Sequence, residues 1–495
     1  MGIIIRQSLK TVIITYTGII FGFLNTLVLY PLVLKEEQIG LVRILINAAI
    51  LFSTFAALGT STMPVLFFPY FKNASKQHHG FLFFLLVVSS IGFVTFLFLF
   101  ILFKPFIIST YIEREPLIVN YFYYLIPLTF AVLFYNILET YTIIHQLPVF
   151  PSFLREVMTR SLLSLGLFFI FLQLFSFSNF VSWVIYSYIV ILISIILYLK
   201  FNRILYLTPN FSLFKSDYFK PMATYGGFVL LANISGAIVS NIDGLMLSAY
   251  SGLKSTGIYT IAFFIAQIVE IPRRSLSQVI IPLVSEANNN HDMDKLKELY
   301  RKSSLNQLIV GGTIFLWIWC NIENIFKFIP NGHIYVIGKW VVLYIGLSKL
   351  VDMATGVNAE IIGSSKYYKI DLFIYFILTL IGVGLNFLLI PVFGLNGAAY
   401  AVLASVCLYN TMRFIFITIV MKIQPFTGKS LIALFCLAIT YFIASFVPSI
   451  GGAIVDTVFR TILIGVILGG LILGLQVSED ISQTINKIVI RLSSK

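Results

Sequence analysis

The chain has 495 residues, of which 59% are hydrophobic and only 11% are charged, and its mean hydropathy is +0.97. Soluble domains carry about 25% charged residues, so water could not solvate this surface and the solvent must be lipid. The net charge is +13, but the basic residues are dispersed over short loops, which argues against nucleic-acid binding.

Apolar stretches recur along the chain, and about 14 of them approach the roughly 20 residues that a helix needs to span a bilayer. They lie at 11–33, 39–68, 81–103, 117–142, 154–176, 179–199, 222–248, 257–285, 304–327, 336–362, 371–391, 395–421, 429–448 and 457–477. We therefore predict an all-α polytopic membrane protein. The first stretch is too long for a signal peptide and no small-residue cleavage site follows it, so we expect it to be retained.

The loops predict how these helices are grouped. Roughly three-quarters of the 33 lysines and arginines fall on one side of the alternating spans, which predicts cytoplasmic termini. The long basic loop after the sixth stretch predicts a six-helix lobe at 1–200, a linker at 201–221 and a second six-helix lobe at 222–421. A helix pair at 422–477 and a cytoplasmic tail at 478–495 would complete the chain.

Two local patterns refine this organisation. The sequences QIGL at 38–41 and STGI at 255–258 begin the second and eighth helices, as parallel repeats would. In the tail, aliphatic residues share one helical face opposite basic ones, which suits a helix lying on an anionic leaflet. The residues are Ile481, Ile485, Ile488 and Leu492, opposite Lys487, Arg491 and Lys495.

Several short motifs carry a resemblance to a known family. They are NIDGLML at 241–247, TGIYTIAFF at 256–264, EIPRRSL at 270–276, IPLVSE at 281–286, YRKSS at 300–304, EEQIGLVR at 36–43 and FGLNGA at 393–398. Together with the helix count, the chain resembles the polysaccharide-transporter branch of the multidrug/oligosaccharidyl-lipid/polysaccharide (MOP) exporter superfamily. The resemblance implies two six-helix lobes around a cavity that opens alternately to either side.

The resemblance also implies a cargo. It predicts a flippase for an undecaprenyl-pyrophosphate-linked oligosaccharide in a bacterial cytoplasmic membrane, serving surface polysaccharide or O-antigen synthesis. Membrane lipids, and polymerase or chain-length proteins, would be its partners. A cation-coupled multidrug exporter and a lipid II flippase remain alternatives on the same fold. A membrane glycosyltransferase or polymerase is the alternative from another class, but such enzymes generally keep a large outer domain or loop, and the outer loops here are short.

Charged residues inside apolar spans are the candidate site residues, because a charge at the bilayer centre costs about 3 kcal/mol and must face protein or water. Helix 8 carries Glu270, Arg273 and Arg274. The arginines could bind a pyrophosphate through bidentate pairs, or Glu270 could neutralise one of them while the other reaches the interface. On helix 10, Lys349 could bind substrate or pair with Asp352 three residues away. Glu270 and Asp352 are also candidates for binding a coupling ion.

Two further candidates lie in the first half of the chain. Arg43, at the start of helix 2, is either a cavity cation or an outer interface anchor. Glu139 on helix 4 has two interpretations. It either belongs to an ion-pair set with Arg155, Glu156 and Arg160 of helix 5, or it takes part in proton coupling.

Motifs for catalysis or cofactor binding are lacking. The sequence contains no HExxH, P-loop, GxSxG or CxxC motif. The five histidines lie in predicted loops without metal-ligand spacing, and the three cysteines lie inside apolar stretches. We therefore expect no metal, no cofactor and no enzymatic activity.

Overall fold

A computed structural model describes residues 2–73, 75–111 and 115–483, which are helical and contain no strand. Twelve helical runs in this part of the chain are long and apolar enough to cross a membrane. One of them, Phe219–Arg274, is broken at Gly252 and so holds two helices. A further run over 149–171 is divided by a π-helical turn. The prediction of about 14 helices is thereby confirmed.

The helices are numbered α1 to α14 in chain order. α1 is Gly2–Phe23 with its continuation to Val33, α2 Glu36–Ala56, α3 Phe81–Tyr111, α4 Leu125–Ile144, α5 149–171, α6 Phe177–Phe201 and α7 219–251. α8 is 253–289, α9 Met293–Cys320, α10 Lys339–Ala354, α11 Tyr368–Phe393, α12 Leu395–Phe416, α13 Gly428–Phe446 and α14 Ala453–Gly474.

The break between α7 and α8 has a local cause. Gly252 has φ of +84°, a conformation that costs other residues energy but not glycine. Glu115, from the loop after α3, accepts a hydrogen bond from the backbone N–H of Leu253 at 2.8 Å. That carboxylate therefore caps the first turn of α8.

Two π-helical turns, Leu24–Leu29 in α1 and Leu154–Met158 in α5, are linked through their flanking residues. Asn25 donates to the carbonyl of Arg160 at 2.8 Å and accepts from Ser164 at 2.6 Å. A Cβ on Gly18 would meet the carbonyl oxygen of Glu156 at 2.7 Å. The small residues of α1 therefore serve close helix packing, as such residues do in membranes.

The chain forms two compact units, Met1–Gly257 and Ile258–Lys495. Within the first unit, α7 packs on the segment after α2, where Asn233 donates to Ser61 and Thr62. Within the second unit, α13 and α14 share a buried core with α9 that includes Leu316 and Leu437. The lobe boundaries at 200 and 222 stay a prediction. Most of the amphipathic tail, from residue 484 onward, lies outside the described residues.

Candidate functional site

The second unit concentrates charged groups on helices that are otherwise apolar. α8 is interrupted by a 3₁₀ turn, Ile268–Glu270, and resumes with Pro272 in its first helical turn. Proline is tolerated there because its missing N–H would have no helical partner in any case. The interruption places Glu270 and Arg273 one turn apart, on the side of α8 that contacts α10.

Two ion pairs join α8 to α10. Lys349 Nζ lies 2.6 Å from Glu270 Oε2, and the guanidinium of Arg273 is paired with the carboxylate of Asp352. The four side chains are between 13% and 21% exposed. Each helix thus presents one cation and one carboxylate, and each charge is matched by its opposite on the neighbouring helix.

These pairs bear on two expectations. Lys349 pairs with Glu270 and not with Asp352 of its own helix. The ion-pair partner of Glu270 is therefore Lys349, although Arg273 and Arg274 also act on Glu270 electrostatically. Two charged residues three positions apart on one helix both point towards the facing helix. Each therefore lies closer to an opposite charge on the facing helix than to the residue one turn away on its own helix. Arg274 lies beside this cluster with an exposed side chain.

A polar network extends from Asp352 towards α12. Asn410 of α12 donates to Asp352 Oδ1 at 3.1 Å. The side-chain oxygen Oδ1 of Asn410 accepts from the Thr355 hydroxyl at 2.7 Å and from the Asn358 side-chain amide at 2.8 Å. Asn358 is fully buried, and its own side-chain oxygen has no hydrogen-bond partner among the described residues. The site therefore spans α8, α10 and α12.

A third ion pair was missed by the sequence reasoning. Arg413 of α12 binds both carboxylate oxygens of Asp371 of α11, at 2.7 and 2.8 Å, and stacks 3.9 Å from the ring of Tyr409. Arg413 is only 3% exposed. The sequence analysis did not single out Arg413, and only the helix packing shows that it is buried.

The first unit holds the ion-pair set expected around Glu139. Arg155 lies 2.9 Å from Glu139 and 3.3 Å from Glu156, and Arg160 lies 3.2 Å from Glu156. Glu139 is 6% exposed. Its role in proton coupling stays a prediction.

Arg43 of α2 is half-buried in the same unit. It interacts electrostatically with the hydroxyl groups of Tyr30 and Tyr188, and Arg160 also acts on Tyr188. Arg43 therefore lies near two tyrosines of the first unit, and its role as a cavity cation stays a prediction.

Chemically, these clusters can exchange ionic partners. In the ion pairs described above, each cation is paired with a carboxylate. An incoming anion can compete with that carboxylate for the cation, because anion and carboxylate offer oxygen acceptors to the same N–H donors. In the part of the chain that the structure describes, no group of three or more His, Cys, Asp or Glu side chains could hold a metal ion.

Comparison with known proteins gives two family matches. The model of the polysaccharide biosynthesis protein family matches residues 5–288, more than half of the chain. The MatE family model matches residues 229–388. No curated protein matches the chain in sequence.

Solved structures show the same fold. The chain is similar to "Lipid II flippase MurJ, inward closed conformation", with TM-score 0.74, 12% identity, and coverage of 96% of this chain and 100% of that one. It is also similar to an inward-facing multidrug resistance MATE family transporter of the MOP superfamily (TM-score 0.59, 14% identity, coverage 84% and 96%). A MOP superfamily transporter from Pyrococcus furiosus, described as having a binding pocket of reverse polarity, gives TM-score 0.55 at 14% identity (coverage 83% and 94%).

Proposed function

Because the chain belongs to the polysaccharide biosynthesis protein family, we propose that it flips a lipid-linked oligosaccharide across the bacterial cytoplasmic membrane. The carrier would be undecaprenyl pyrophosphate, and the mechanism alternating access. The hydrophilic head enters a cavity from one leaflet and leaves on the other side, while the lipid tail stays in the bilayer. The glycan would serve surface polysaccharide or O-antigen synthesis.

The observation that carries this proposal is the pair of ion pairs between α8 and α10. A diphosphate cannot cross hydrocarbon without compensating cations, since an isolated charge there costs several kcal/mol. Arginine offers a planar fork of N–H donors that matches phosphate oxygens, and lysine adds a compact charge. Arg273 and Lys349 supply these two groups side by side.

Each candidate residue then has a role. Arg273, Lys349 and Arg274 bind the diphosphate, and Arg43 is the candidate substrate-binding cation within the first unit. Glu270 and Asp352 hold the cations when cargo is absent. Glu139, Glu270 and Asp352 are the carboxylates that would bind a coupling proton or sodium ion.

The alternatives differ in the chemistry they need. A lipid II flippase would use the same pyrophosphate recognition, and the MurJ fold covers almost the whole chain, so only the glycan distinguishes the two. A multidrug exporter of the MATE type would favour an acidic cavity for cationic drugs. The α8–α10 cluster instead balances two carboxylates with two cations.

Lipid analysis of a deletion strain tests the proposal. We expect one lipid-linked oligosaccharide to accumulate on the cytoplasmic face and surface polysaccharide to be lost. Complementation with Arg273→Ala at normal expression should restore little polysaccharide, whereas Lys295→Ala, at an exposed position of the same unit, should restore it fully. Accumulation of lipid II would favour the alternative flippase. Unchanged lipid intermediates would refute the flippase proposal.

Location and partners follow from the same proposal. Both termini would be cytoplasmic, so alkaline phosphatase fused after Lys495 should be inactive. High activity of that fusion would contradict the proposed orientation. Polymerase and chain-length proteins that accept the flipped oligosaccharide would be the partners.

A further inference from the structure

A histidine pair lies at the end of the first unit that is predicted to be cytoplasmic. His78, in the loop between α2 and α3, is 4% exposed, and its Nε2 lies 3.4 Å from Nε2 of His145, which follows α4. The two rings are packed among Phe68, Tyr141 and Tyr206, with ring centroids between 4.5 and 5.3 Å apart. Neither histidine belongs to the ion-pair clusters described above.

The hydrogen bonds around the pair set the protonation of both rings. The backbone N–H of Asn73 donates to His78 Nδ1 at 3.1 Å, so that nitrogen carries no proton. Nδ1 of His145 lies 2.8 Å from the carbonyl oxygen of Tyr141, which can only accept, so that nitrogen is protonated. His78 Nε2–H must then donate to the bare Nε2 of His145. The arrangement requires both rings to be neutral, and it occupies the nitrogens that a metal would need.

The pair sits beneath the linker 201–221, which leads from α6 to α7. Tyr206 of the linker covers the His78 ring, and the Tyr141 hydroxyl donates to the carbonyl of Ile204 at 3.2 Å. Thr208 donates to the side chain of Gln77 at 2.6 Å. The linker is therefore attached to the protein around the two histidines.

The loop that carries His78 has an unusual backbone. Gln77, His78 and His79 have φ between 50° and 55°, followed by Gly80 at 75°. Side chains disfavour this left-handed region, and such residues persist only where surrounding contacts hold them. The contacts that hold this loop include those made by the histidine pair and the linker, together with backbone hydrogen bonds from His78 to Asn73 and from His79 to Lys76.

We propose that His78 and His145 form a pH-sensitive latch that keeps the linker docked, and that acidification at this face releases it. The hydrogen bonds from Asn73 to His78 and from His78 to His145 need one unprotonated nitrogen on each ring. A further proton on either ring removes that acceptor and breaks one of the two hydrogen bonds. The other charged groups facing the pair oppose protonation as well, because Lys72 acts on both rings and His79 acts on His78. The latch regulates how firmly α7 is tethered, whichever cargo the protein carries.

The sign of the effect follows from the surroundings. Burial, and to a smaller extent Lys72, lower the pKa of His145 below its usual 6.5, although its hydrogen bond to Tyr141 acts the other way. The docked linker requires the neutral ring of His145, so docking is favoured at pH above 6.5, the usual pKa of histidine. As the pH falls below this value, protonation of the ring competes with docking and the stability of the docked form decreases.

A spin label on the linker tests the proposal in the full-length protein in lipid nanodiscs. The label replaces Leu207, whose side chain is 51% exposed, in a background without the three native cysteines. Its spectrum is recorded between about pH 7.5 and about pH 5. We expect the mobile component to increase several-fold at the acidic end, while a label at Leu174, in the loop between α5 and α6, stays unchanged.

Two variants remove the titration while respecting the local structure. His78→Asn tolerates the left-handed backbone, and His145→Phe keeps the ring among its aromatic neighbours. Either should abolish the pH response of the linker label, whereas His291→Asn, at another left-handed histidine with φ of 56°, should retain it. A response that persists in either folded variant, or a wild-type spectrum that is unchanged with pH, overturns the proposal. If neither variant folds, the wild-type titration alone decides.

Discussion

Replacing Glu270 by Gln would leave the Lys349 ammonium without its carboxylate inside the membrane. The two groups are 2.6 Å apart and their side chains are about one-fifth exposed. Breaking a buried ion pair from one side costs about 3–5 kcal/mol, mainly because an uncompensated charge remains. Partial exposure places the expected loss for Glu270→Gln near about 3 kcal/mol.

The double variant Glu270→Gln/Lys349→Met removes both charges and should recover most of that loss, because no buried charge is left over. A double-mutant cycle should give a coupling energy of about 2 kcal/mol or more. The assay is denaturant-induced unfolding in mixed micelles, read by tryptophan fluorescence. The matched control is the pair Lys295–Glu298, whose side chains are 49% and 45% exposed, with an expected coupling below about 1 kcal/mol.

Additive effects of the two single substitutions would contradict a direct ion pair between Glu270 and Lys349. They would mean that Glu270 and Lys349 do not depend on each other, and that the cluster does not hold its cations with its own carboxylates. A coupling as small as that of the exposed control pair would lead to the same conclusion.

Three further predictions concern other positions. Gly40→Ala should lower stability and expression, because its Cβ would collide with the carbonyl of the first residue of α8, whereas Gly469→Ala, with no atom within 4 Å, should be tolerated. Asp456→Ala should cost about 3 kcal/mol, since its carboxylate accepts hydrogen bonds from two side chains and one backbone N–H. Glu479→Ala, at a side chain 78% exposed, should cost little. Glu115→Gln should raise the melting temperature at neutral pH.

The Glu115 prediction depends on the sign of its pKa shift. Burial raises the pKa of this carboxyl above its usual 4.5, so the ionised form is disfavoured in the folded protein at neutral pH. The advantage of Gln should vanish as the pH falls and the native side chain becomes protonated. Glu323→Gln should behave oppositely, because Lys339 lowers the pKa of Glu323. Equal changes in melting temperature for Glu115→Gln and Glu323→Gln would contradict the opposite pKa shifts of the two carboxyls. An increase in stability on Gly40→Ala would contradict the close contact at Gly40.

The sequence predicted the helices well because long apolar stretches report directly on the bilayer. It also identified the charged residues of the α8–α10 cluster, since a charge in an apolar span is conspicuous, but it missed the pair of Arg413 with Asp371. It did not predict their partners, because the pairing of Glu270 with Lys349 depends on the register between two helices. That register is set by side-chain packing, which a one-dimensional pattern does not contain.

The contact between His78 and His145 could not be predicted from the sequence either. His78 and His145 are separated by 67 positions and lie in segments that predict only loops. No spacing rule connects them, and the left-handed backbone around His78 has no sequence signature beyond the glycine that follows. Buried polar contacts between distant loops become visible only when the chain is folded.

Lipid flipping by the purified protein in vesicles is a direct test of the proposed function. Proteoliposomes carrying a fluorescent undecaprenyl-pyrophosphate oligosaccharide in both leaflets are treated with a glycosidase that cannot cross the membrane. With the wild-type protein, we expect cleavage to proceed beyond the outer-leaflet fraction. The variant Arg273→Ala should remain close to protein-free vesicles. The proposed function would be contradicted if cleavage stopped at the outer-leaflet fraction with a folded wild-type protein. Equal cleavage with the wild type and with Arg273→Ala would contradict the role of Arg273.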